Sequence, residues 1–230
     1  MKLYGLQKMT LLDFPGRVAC TVFLGGCDFR CPFCHNYELA LLKSPPVMEE
    51  AEFLSFLVKR KGLLDGVAIT GGEPCLWPDL PDFLRQIRGL GFAVKLDTNG
   101  AHPAVLREVL RGGLADYVAM DIKNSPEKYA ETVGLPKADL APVRESVQLL
   151  MREARDYEFR TTVVRELHED EDFEKIGDWI QGARRYFLQP FADRDSVPFS
   201  GFHAPDKEAL GRWLRIMRKY VPFAQIRGME

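Results

Sequence analysis

The alternation of short apolar runs with longer amphipathic runs is the feature that most constrains the fold of this chain. Six runs are apolar enough to be buried on both faces, which is typical of strands inside a parallel sheet. They are VACTVFL (18–24), GVAIT (66–70), FAVKLDT (92–98), DYVAMDI (116–122), EFRTTVV (158–164) and RRYFLQP (184–190). Runs with helical spacing cover roughly 48–61, 79–89, 103–111, 138–155, 170–182 and 205–219. Strand followed by helix, repeated about six times, predicts an α/β fold with a parallel sheet built from right-handed βαβ units.

Composition and charge predict one globular domain and give no sign of a nucleic-acid or membrane partner. Of the 230 residues, 46% are hydrophobic and 28% are charged, and the formal net charge is −2. Because no linker divides the chain, we expect a single domain over 1–230. Its core would span about 17–191, and 192–230 would add a loop, a helix and an edge strand at 223–228. The chain shows neither a bilayer-length apolar run nor the apolar region of a secretory signal, so we expect a cytoplasmic protein.

Polar motifs stand at the carboxyl ends of the predicted strands. In parallel barrels and partial barrels, catalytic groups gather at that edge of the sheet. The motifs, in strand order, are GGCDFRCPFCHN, GGEPC, DTNG, MDIK, RTTVV and LQPF. Their placement predicts a catalytic face built from several strands.

Three cysteines in the first of these loops are spaced four and three residues apart: Cys27, Cys31 and Cys34. On a helix, this spacing would place them on one face as a buried apolar stripe. Two glycines precede the run, however, and Pro32 interrupts it, which favours a loop that wraps around a bound group.

The bound group is a metal centre in two of the alternatives. A zinc site would need His35 as its fourth ligand, and the sequence lacks the second pair of ligands that such sites usually have. Three thiolates instead suit a [4Fe–4S] cluster with one iron left open to a substrate. We expect Cys20 and Cys75 to be core or site-wall residues.

The motif Cys-x3-Cys-x2-Cys, with Phe33 before its third cysteine, resembles the signature of the radical S-adenosylmethionine (SAM) superfamily. The resemblance implies a partial (β/α)6 barrel with outer helices, in which the amino and carboxylate groups of SAM chelate the open iron. It also implies that Gly71, Gly72 and Glu73 receive the SAM amino group, because glycines allow close backbone approach and Glu73 offers an anion. Phe33 and His35 are expected beside SAM.

The motifs DTNG and MDIK resemble segments of the glycyl-radical-enzyme activating enzymes within that superfamily. In those enzymes, two aspartates help to hold a monovalent cation, Na⁺ or K⁺, against the SAM carboxylate. The positions of this chain that match the cation site are Asp97, Thr98, Ala119 and Asp121. Asp97, Thr98 and Asp121 are also expected to contact SAM, as are Lys123, Arg160 and Thr162. Ordinary surface salt bridges are the alternative interpretation of the two aspartates.

Two further positions bear on the partner. The segment LLDFPGRVACTVFLGGC resembles the opening of the same enzymes, in which the aspartate faces the incoming glycyl loop, so Asp13 is the candidate substrate-binding residue. A simple β-turn is the alternative for this segment. Activators of pyruvate formate-lyase carry a histidine where this chain has Ala192, and we expect Gln189 to substitute for it near SAM. This departure argues against the pyruvate formate-lyase branch.

The resemblance therefore implies an enzyme that cleaves SAM reductively to a 5′-deoxyadenosyl radical and abstracts hydrogen from a glycine of a partner protein. We expect anaerobic ribonucleoside-triphosphate reductase as the partner and a flavodoxin or ferredoxin as the electron donor. Two alternatives stay open. One is a radical SAM enzyme that acts on a small molecule, such as a 7-deazapurine precursor, and the other is a non-catalytic metal or iron–sulfur binding module.

Overall fold

One sheet of nine strands organises the computed structural model, which describes residues 1–228. The strands are β1 (Lys2–Thr10), β2 (Ala19–Leu24), β3 (Met48–Glu49), β4 (Gly66–Gly71), β5 (Ala93–Thr98), β6 (Tyr117–Asp121), β7 (Tyr157–Val163), β8 (Tyr186–Pro190) and β9 (Ala224–Ile226). Their order across the sheet is β3-β1-β2-β4-β5-β6-β7-β8-β9. Neighbours from β2 to β9 are parallel, whereas β1 is antiparallel to β2 and β3. The predicted α/β class and partial barrel are confirmed. Residues 229 and 230, which the predicted domain included, lie outside the described residues.

Helices follow most of the parallel strands. They are α1 (Tyr37–Ala40), α2 (Glu50–Val58), α3 (Leu80–Gly89), α4 (Pro103–Arg111), α5 (Tyr129–Thr132), α6 (Ala141–Glu153), α7 (Asp170–Trp179) and α8 (Lys207–Tyr220). Proline occupies the first turn of α3, α4 and α6, where its missing N–H costs no hydrogen bond. The Asp206 carboxylate caps α8 by accepting a hydrogen bond of 2.7 Å from the Ala209 N–H. Among the helices of residues 1–228, none is long and apolar enough to cross a bilayer.

The six predicted strands and the edge strand at 223–228 each coincide with an observed strand, but β1 and β3 were not predicted. β1 is an antiparallel strand with four exposed residues, and its pairing with β2 has two register irregularities. Such a strand does not produce the continuous apolar run that marks a strand buried on both faces. The predicted helix at 48–61 is also shorter than expected, because its first two residues pair with β1 as β3.

The two faces of the sheet carry different residues. Side chains on the outer face, such as Val22, Ile69 and Phe159, are fully buried and belong to the main hydrophobic core. Alternate residues along the same strands point to the inner face of the partial barrel, which carries small, polar and charged groups. The inner face of β5 shows the pattern most plainly, since Ala93, Lys95 and Asp97 follow each other at every second position.

Phe14 fills the inner face near the amino ends of the strands. Its ring is buried against Ala19, Tyr117 and Ala119 in a small separate core. Gly66 makes this possible, because a Cβ there would lie 2.9 Å from the Phe14 ring. The apolar plug at one end leaves the open part of the inner face at the carboxyl ends of the strands.

Candidate active site

One cavity at the carboxyl ends of five neighbouring parallel strands collects most of the predicted site residues. The predicted residues that line it are Cys27, Cys31, Phe33, Cys34, His35, Gly71, Gly72, Asp97, Thr98, Asp121, Lys123, Arg160 and Thr162. It is also lined by residues that the sequence did not predict: Phe29, Asn36, Tyr37, Ala40, Thr70 and Asn99. The parallel topology therefore brings motifs that are more than 130 residues apart in the chain into a single site.

The cysteine loop is irregular between β2 and α1, so the alternative of a helical apolar stripe is wrong. The Arg30 side chain stabilises this loop, because its guanidinium donates hydrogen bonds to the carbonyl oxygens of Cys27 and Phe29 at 2.5 and 2.8 Å. The Arg30 N–H in turn donates to the Val133 carbonyl at 2.8 Å. These bonds fix the backbone around the three sulfurs without using the sulfurs themselves.

Burial dominates the electrostatics of the three thiols. It raises the pKa of Cys27 to about 12, with a further contribution from Glu73, and it raises the pKa of Cys31 to about 11. The pKa of Cys34 is raised by the same cause. The Lys123 ammonium opposes the rise at all three positions. At neutral pH the thiols are therefore protonated until a metal centre displaces their protons.

The structure does not support the zinc alternative, because the His35 imidazole interacts with the segment after β8. Its Nε2 lies 2.6 Å from the carbonyl oxygen of Ala192, and its ring stacks on Phe191 with centroids 5.6 Å apart. Within residues 1–228, no three histidine, cysteine, aspartate or glutamate side chains form a group that could hold a single metal ion.

The two glycines of the GGEP motif lie directly against the cysteine loop. Gly71 has a φ of +121°, and a Cβ there would lie 2.3 Å from the Leu24 carbonyl oxygen. At Gly72, a Cβ would lie 2.0 Å from the carbonyl oxygen of Gly26. Both positions therefore require glycine, and the backbone of this turn forms part of the cavity wall.

The structure corrects the expectation for Glu73, whose side chain is fully buried behind the cavity wall and does not line it. One carboxylate oxygen accepts hydrogen bonds from the Cys75 N–H and the Thr98 hydroxyl, both at 2.8 Å. The other accepts from the Asn99 N–H at 2.6 Å. Burial raises the pKa of Glu73, while these hydrogen bonds oppose the rise. Glu73 therefore joins the GGEP and DTNG turns and does not present an anion to the cavity.

The two aspartates and the two predicted cationic residues form one network of largely buried side chains, each 14% to 21% exposed. The Arg160 guanidinium lies between the carboxylates of Asp97 and Asp121, at 3.1 Å from Asp97 Oδ2 and in contact with Asp121 Oδ1. Lys123 Nζ donates to Asp121 Oδ2 at 2.7 Å. Burial alone would raise the pKa of both carboxyls, but Arg160 and its neighbouring lysines hold both below the ordinary value. The alternative of exposed surface salt bridges is therefore wrong.

Comparison with known proteins gives the family. The profile of the radical SAM superfamily matches residues 21–180, which is more than half of the chain. This chain belongs to the radical SAM superfamily. It is also 31% identical over 235 residues to a proposed glycyl-radical enzyme activating enzyme of Methanocaldococcus jannaschii, with 98% of this chain and 95% of the relative covered. Within the superfamily, it therefore belongs with the glycyl-radical enzyme activating enzymes.

Two more distant proteins are also similar to this chain, one in sequence and one in fold. A pyruvate formate-lyase-activating enzyme of Listeria monocytogenes serovar 1/2a is 26% identical over 233 residues, covering 91% of this chain and 92% of that enzyme. The crystal structure of Streptococcus suis SuiB bound to S-adenosylmethionine superposes with a TM-score of 0.69 at 14% identity, covering 91% of this chain and 52% of SuiB. The second comparison shows the fold alone.

The radical SAM superfamily implies a [4Fe–4S] cluster and SAM, and the cavity residues fit the cluster. Three thiols line the cavity, whereas Cys20 and Cys75 are fully buried in the core. Two N–H groups donate to the Sγ of Cys27, one from the Phe29 backbone at 3.4 Å and one from the Asn99 side chain at 3.6 Å. Donors of this kind stabilise the negative charge of a metal-bound thiolate.

Besides Glu73, three predicted site residues do not line the cavity, namely Ala119, Gln189 and Asp13. Ala119 is fully buried beneath it, next to Asp97 in the sheet register. Gln189 is half-buried in β8, where it pairs with Thr162. Asp13 accepts a hydrogen bond of 2.5 Å from the Thr21 hydroxyl at the base of β2. A SAM contact at Gln189 and a partner contact at Asp13 remain predictions.

Two residues at or next to the site, Asn99 and Lys95, are marked in the sequence by their positions relative to Asp97. Asn99 is the third residue of DTNG, the motif that supplied Asp97 and Thr98. Lys95 lies two positions before Asp97 on β5, so strand alternation places both side chains on the inner face. Its ammonium contacts Asp97 Oδ1, and its side chain is 4% exposed.

Proposed function

We propose that this protein activates anaerobic ribonucleoside-triphosphate reductase by generating a glycyl radical on it. The observation that carries the proposal is the single cavity in which three thiols adjoin Lys123, Asp121 and Arg160. Such a cavity can hold a three-cysteine cluster beside a ligand that carries both a carboxylate and positive charges. The relationship to a proposed activating enzyme over nearly the whole chain supports the assignment of this chemistry.

Each group of residues has a separate task in this proposal. Cys27, Cys31 and Cys34 would hold the [4Fe–4S] cluster, leaving one iron for the amino and carboxylate groups of SAM. When bound and reduced by a flavodoxin or ferredoxin, the cluster would supply the electron for reductive cleavage of SAM to methionine and a 5′-deoxyadenosyl radical, which would abstract a hydrogen atom from the partner's glycine. The protein itself binds SAM, orients it and excludes water.

The inner-face network would orient SAM. Lys123 and Arg160 present N–H donors to the cavity while they remain paired with Asp121, so they can bind a carboxylate without a large rearrangement. The glycine backbone at 71–72 forms the opposite wall, and Asn36 fixes it by donating from Nδ2 to the Gly71 carbonyl at 2.9 Å. Thr162 on β7 completes the lining beside Arg160.

The reductase is preferred over pyruvate formate-lyase as the partner because of the segment after β8. The family resemblance described above implies a histidine in activators of pyruvate formate-lyase at the position where this chain has Ala192. Here the Ala192 carbonyl contacts the imidazole of His35 on the cysteine loop instead. We place the reaction in the cytoplasm, where cysteines remain reduced.

The test uses the whole chain, reconstituted with iron and sulfide under anaerobic conditions and mixed with SAM and a one-electron reductant. Anaerobic ribonucleoside-triphosphate reductase and pyruvate formate-lyase are added in parallel, and the glycyl radical is followed by electron paramagnetic resonance. We expect a doublet signal on the reductase and none when Cys31→Ala replaces the wild-type activator. A signal on pyruvate formate-lyase but not on the reductase would reject the proposed partner, and a signal on neither would reject glycyl radical formation.

A further inference from the structure

Five side chains form an ion network on the inner face of the sheet: Lys95, Asp97, Asp121, Lys123 and Arg160. The last four were predicted to contact SAM, whereas Lys95 was not. Lys95 Nζ contacts Asp97 Oδ1, and the Arg160 guanidinium forms ion pairs with Asp97 Oδ2 and Asp121 Oδ1. Lys123 Nζ takes the remaining oxygen, Asp121 Oδ2, at 2.7 Å. Each of the four carboxylate oxygens therefore already has a cationic partner from the protein.

The register of the sheet explains why these five side chains pair with one another. Asp121 on β6 is the direct neighbour of Arg160 on β7, and Lys95 lies two residues before Asp97 on the same face of β5. All five side chains are between 4% and 21% exposed, so solvent screens them little. The network is thus part of the barrel interior.

The predicted ligands of a monovalent cation do not fit one in this arrangement. Both carboxylates are already paired with lysine and arginine side chains. The Thr98 hydroxyl is used at the other face, where it donates to Glu73 at 2.8 Å and accepts from the Gly100 N–H at 3.1 Å. A cation at this place would have to displace a side chain that is already paired.

The net charge of the network also argues against a bound monovalent cation. With both aspartates ionised, three cationic side chains and two carboxylates give the network a net charge of about +1. An added monovalent cation would raise this to about +2 in a poorly screened interior, which is unfavourable. The carboxylate of an incoming ligand would instead bring the network to about zero.

We propose that Lys95 is a positioning residue that takes the place of the monovalent cation, so that SAM binding by this protein requires neither Na⁺ nor K⁺. The ammonium holds Asp97, and Asp97 holds Arg160 against Asp121 and Lys123 in the arrangement that receives the SAM carboxylate. The inference rests on SAM binding in this cavity, as proposed above.

The test measures SAM affinity by isothermal titration calorimetry of the reconstituted protein in potassium, sodium and choline chloride at equal ionic strength. For the wild type, we expect dissociation constants that agree within about twofold among the three salts. Lys95→Met has nearly the same side-chain length without the charge, and we expect it to bind SAM about tenfold more weakly in choline chloride, with recovery in potassium or sodium chloride. Lys8→Met, at an exposed position of β1, is the control and should match the wild type.

Thermal unfolding of the protein without SAM gives a second measurement. The wild-type midpoint should not distinguish sodium or potassium from choline, whereas the midpoint of Lys95→Met should be lower and should rise with sodium or potassium. If Lys95→Met does not fold, Lys95→Arg keeps the charge and should bind SAM equally in all three salts.

Several results would overturn the inference. A wild-type affinity that needs sodium or potassium would do so while leaving the proposed function intact, and so would a Lys95→Met protein that binds SAM as the wild type does in choline chloride. Failure of the wild type to bind SAM in every salt would overturn the proposed function and this inference together.

Discussion

The side-chain amide of Asn99 lies 3.6 Å from the Sγ of Cys27. Hydrogen bonds fix both the backbone and the side chain of Asn99. Its backbone N–H donates to the Glu73 carboxylate at 2.6 Å, and its Oδ1 accepts from the Ala101 N–H at 2.8 Å. Hydrogen bonds to cluster sulfurs favour the reduced, more negative state of an iron–sulfur cluster. Asn99 is therefore placed to make the cluster easier to reduce.

Removing this donor should lower the reduction potential. For Asn99→Ala we expect a midpoint potential more negative than that of the wild type, measured by anaerobic redox titration with electron paramagnetic resonance. The control is His102→Asn, in the same loop, because His102 contacts Asp28 at 2.6 Å and no cysteine sulfur. An unchanged potential in Asn99→Ala, with the cluster fully incorporated, would show that the Asn99 amide does not act on the cluster.

The five cysteines should divide into two groups. Replacing Cys27, Cys31 or Cys34 by alanine should abolish iron and sulfide incorporation, because a cluster with one open iron needs all three thiolates. Cys20→Ala and Cys75→Ala should retain the full cluster, since both side chains lie in the hydrophobic core, at a cost of about 1 kcal/mol in the free energy of unfolding. Loss of iron from either core variant, with the fold intact, would contradict the ligand assignment.

Gly72 should not tolerate a methyl group. Because a Cβ there would lie 2.0 Å from the Gly26 carbonyl oxygen, Gly72→Ala must push the GGEP turn away from the cysteine loop. We expect a loss of more than about 2 kcal/mol in the free energy of unfolding and reduced iron incorporation. Gly89→Ala is the matched control, because no atom lies within 4 Å of a Cβ at that helical position, and it should be neutral or stabilising by up to about 1 kcal/mol. Equal behaviour of the two variants in urea unfolding would argue against the close contact.

The last described strand is anchored by an ion pair between the half-buried Arg227 and the fully buried Glu158. Arg227 reaches from beside β9 across the Phe187 ring and binds both oxygens of Glu158 at 2.6 and 2.8 Å, while the Tyr117 hydroxyl donates to the same carboxylate. Glu158 is fully buried, so Arg227→Met would leave its charge with the Tyr117 hydroxyl but without a cationic partner. We expect Arg227→Met to lower the free energy of unfolding by about 3 kcal/mol.

A double-mutant cycle separates this effect from lost packing. Adding Glu158→Gln to Arg227→Met removes the stranded charge, so the double variant should be more stable than Arg227→Met alone. Arg212→Met, which breaks a half-exposed pair with Glu208 on α8, should change stability by no more than about 0.5 kcal/mol in the same urea titration. If the charged-pair account is wrong, the double variant will be no more stable than the single one.

The sequence was sufficient for the parts of this structure that depend on local pattern. Continuous apolar runs marked the parallel strands, and strand ends marked the loops that form the cavity, because parallel topology brings all these ends to one edge. β1 was missed because an antiparallel strand with four exposed residues, three of them consecutive, lacks that pattern. Cysteine spacing and the glycine pair could be predicted because each is set within a few residues.

The sequence alone does not predict where a polar side chain points when its hydrogen-bond or ionic partners are far away in the chain. Glu73 stands in the predicted loop, but its carboxylate is turned inward by donors from Thr98 and Asn99 on another strand. The proposal that Lys95 replaces a monovalent cation depends on the same kind of distant pairing. The motif supplied Asp97 and Asp121, whereas the pairing of Asp97 with Lys95 becomes visible only when the inner face is assembled.

The most direct measurement is the analysis of SAM products after anaerobic incubation of the reconstituted protein with SAM and a one-electron reductant. We predict equal amounts of 5′-deoxyadenosine and methionine from the wild type and none from Cys31→Ala. A wild-type protein that holds its cluster and binds SAM but yields neither product would contradict the assignment of this chain as a radical SAM activating enzyme.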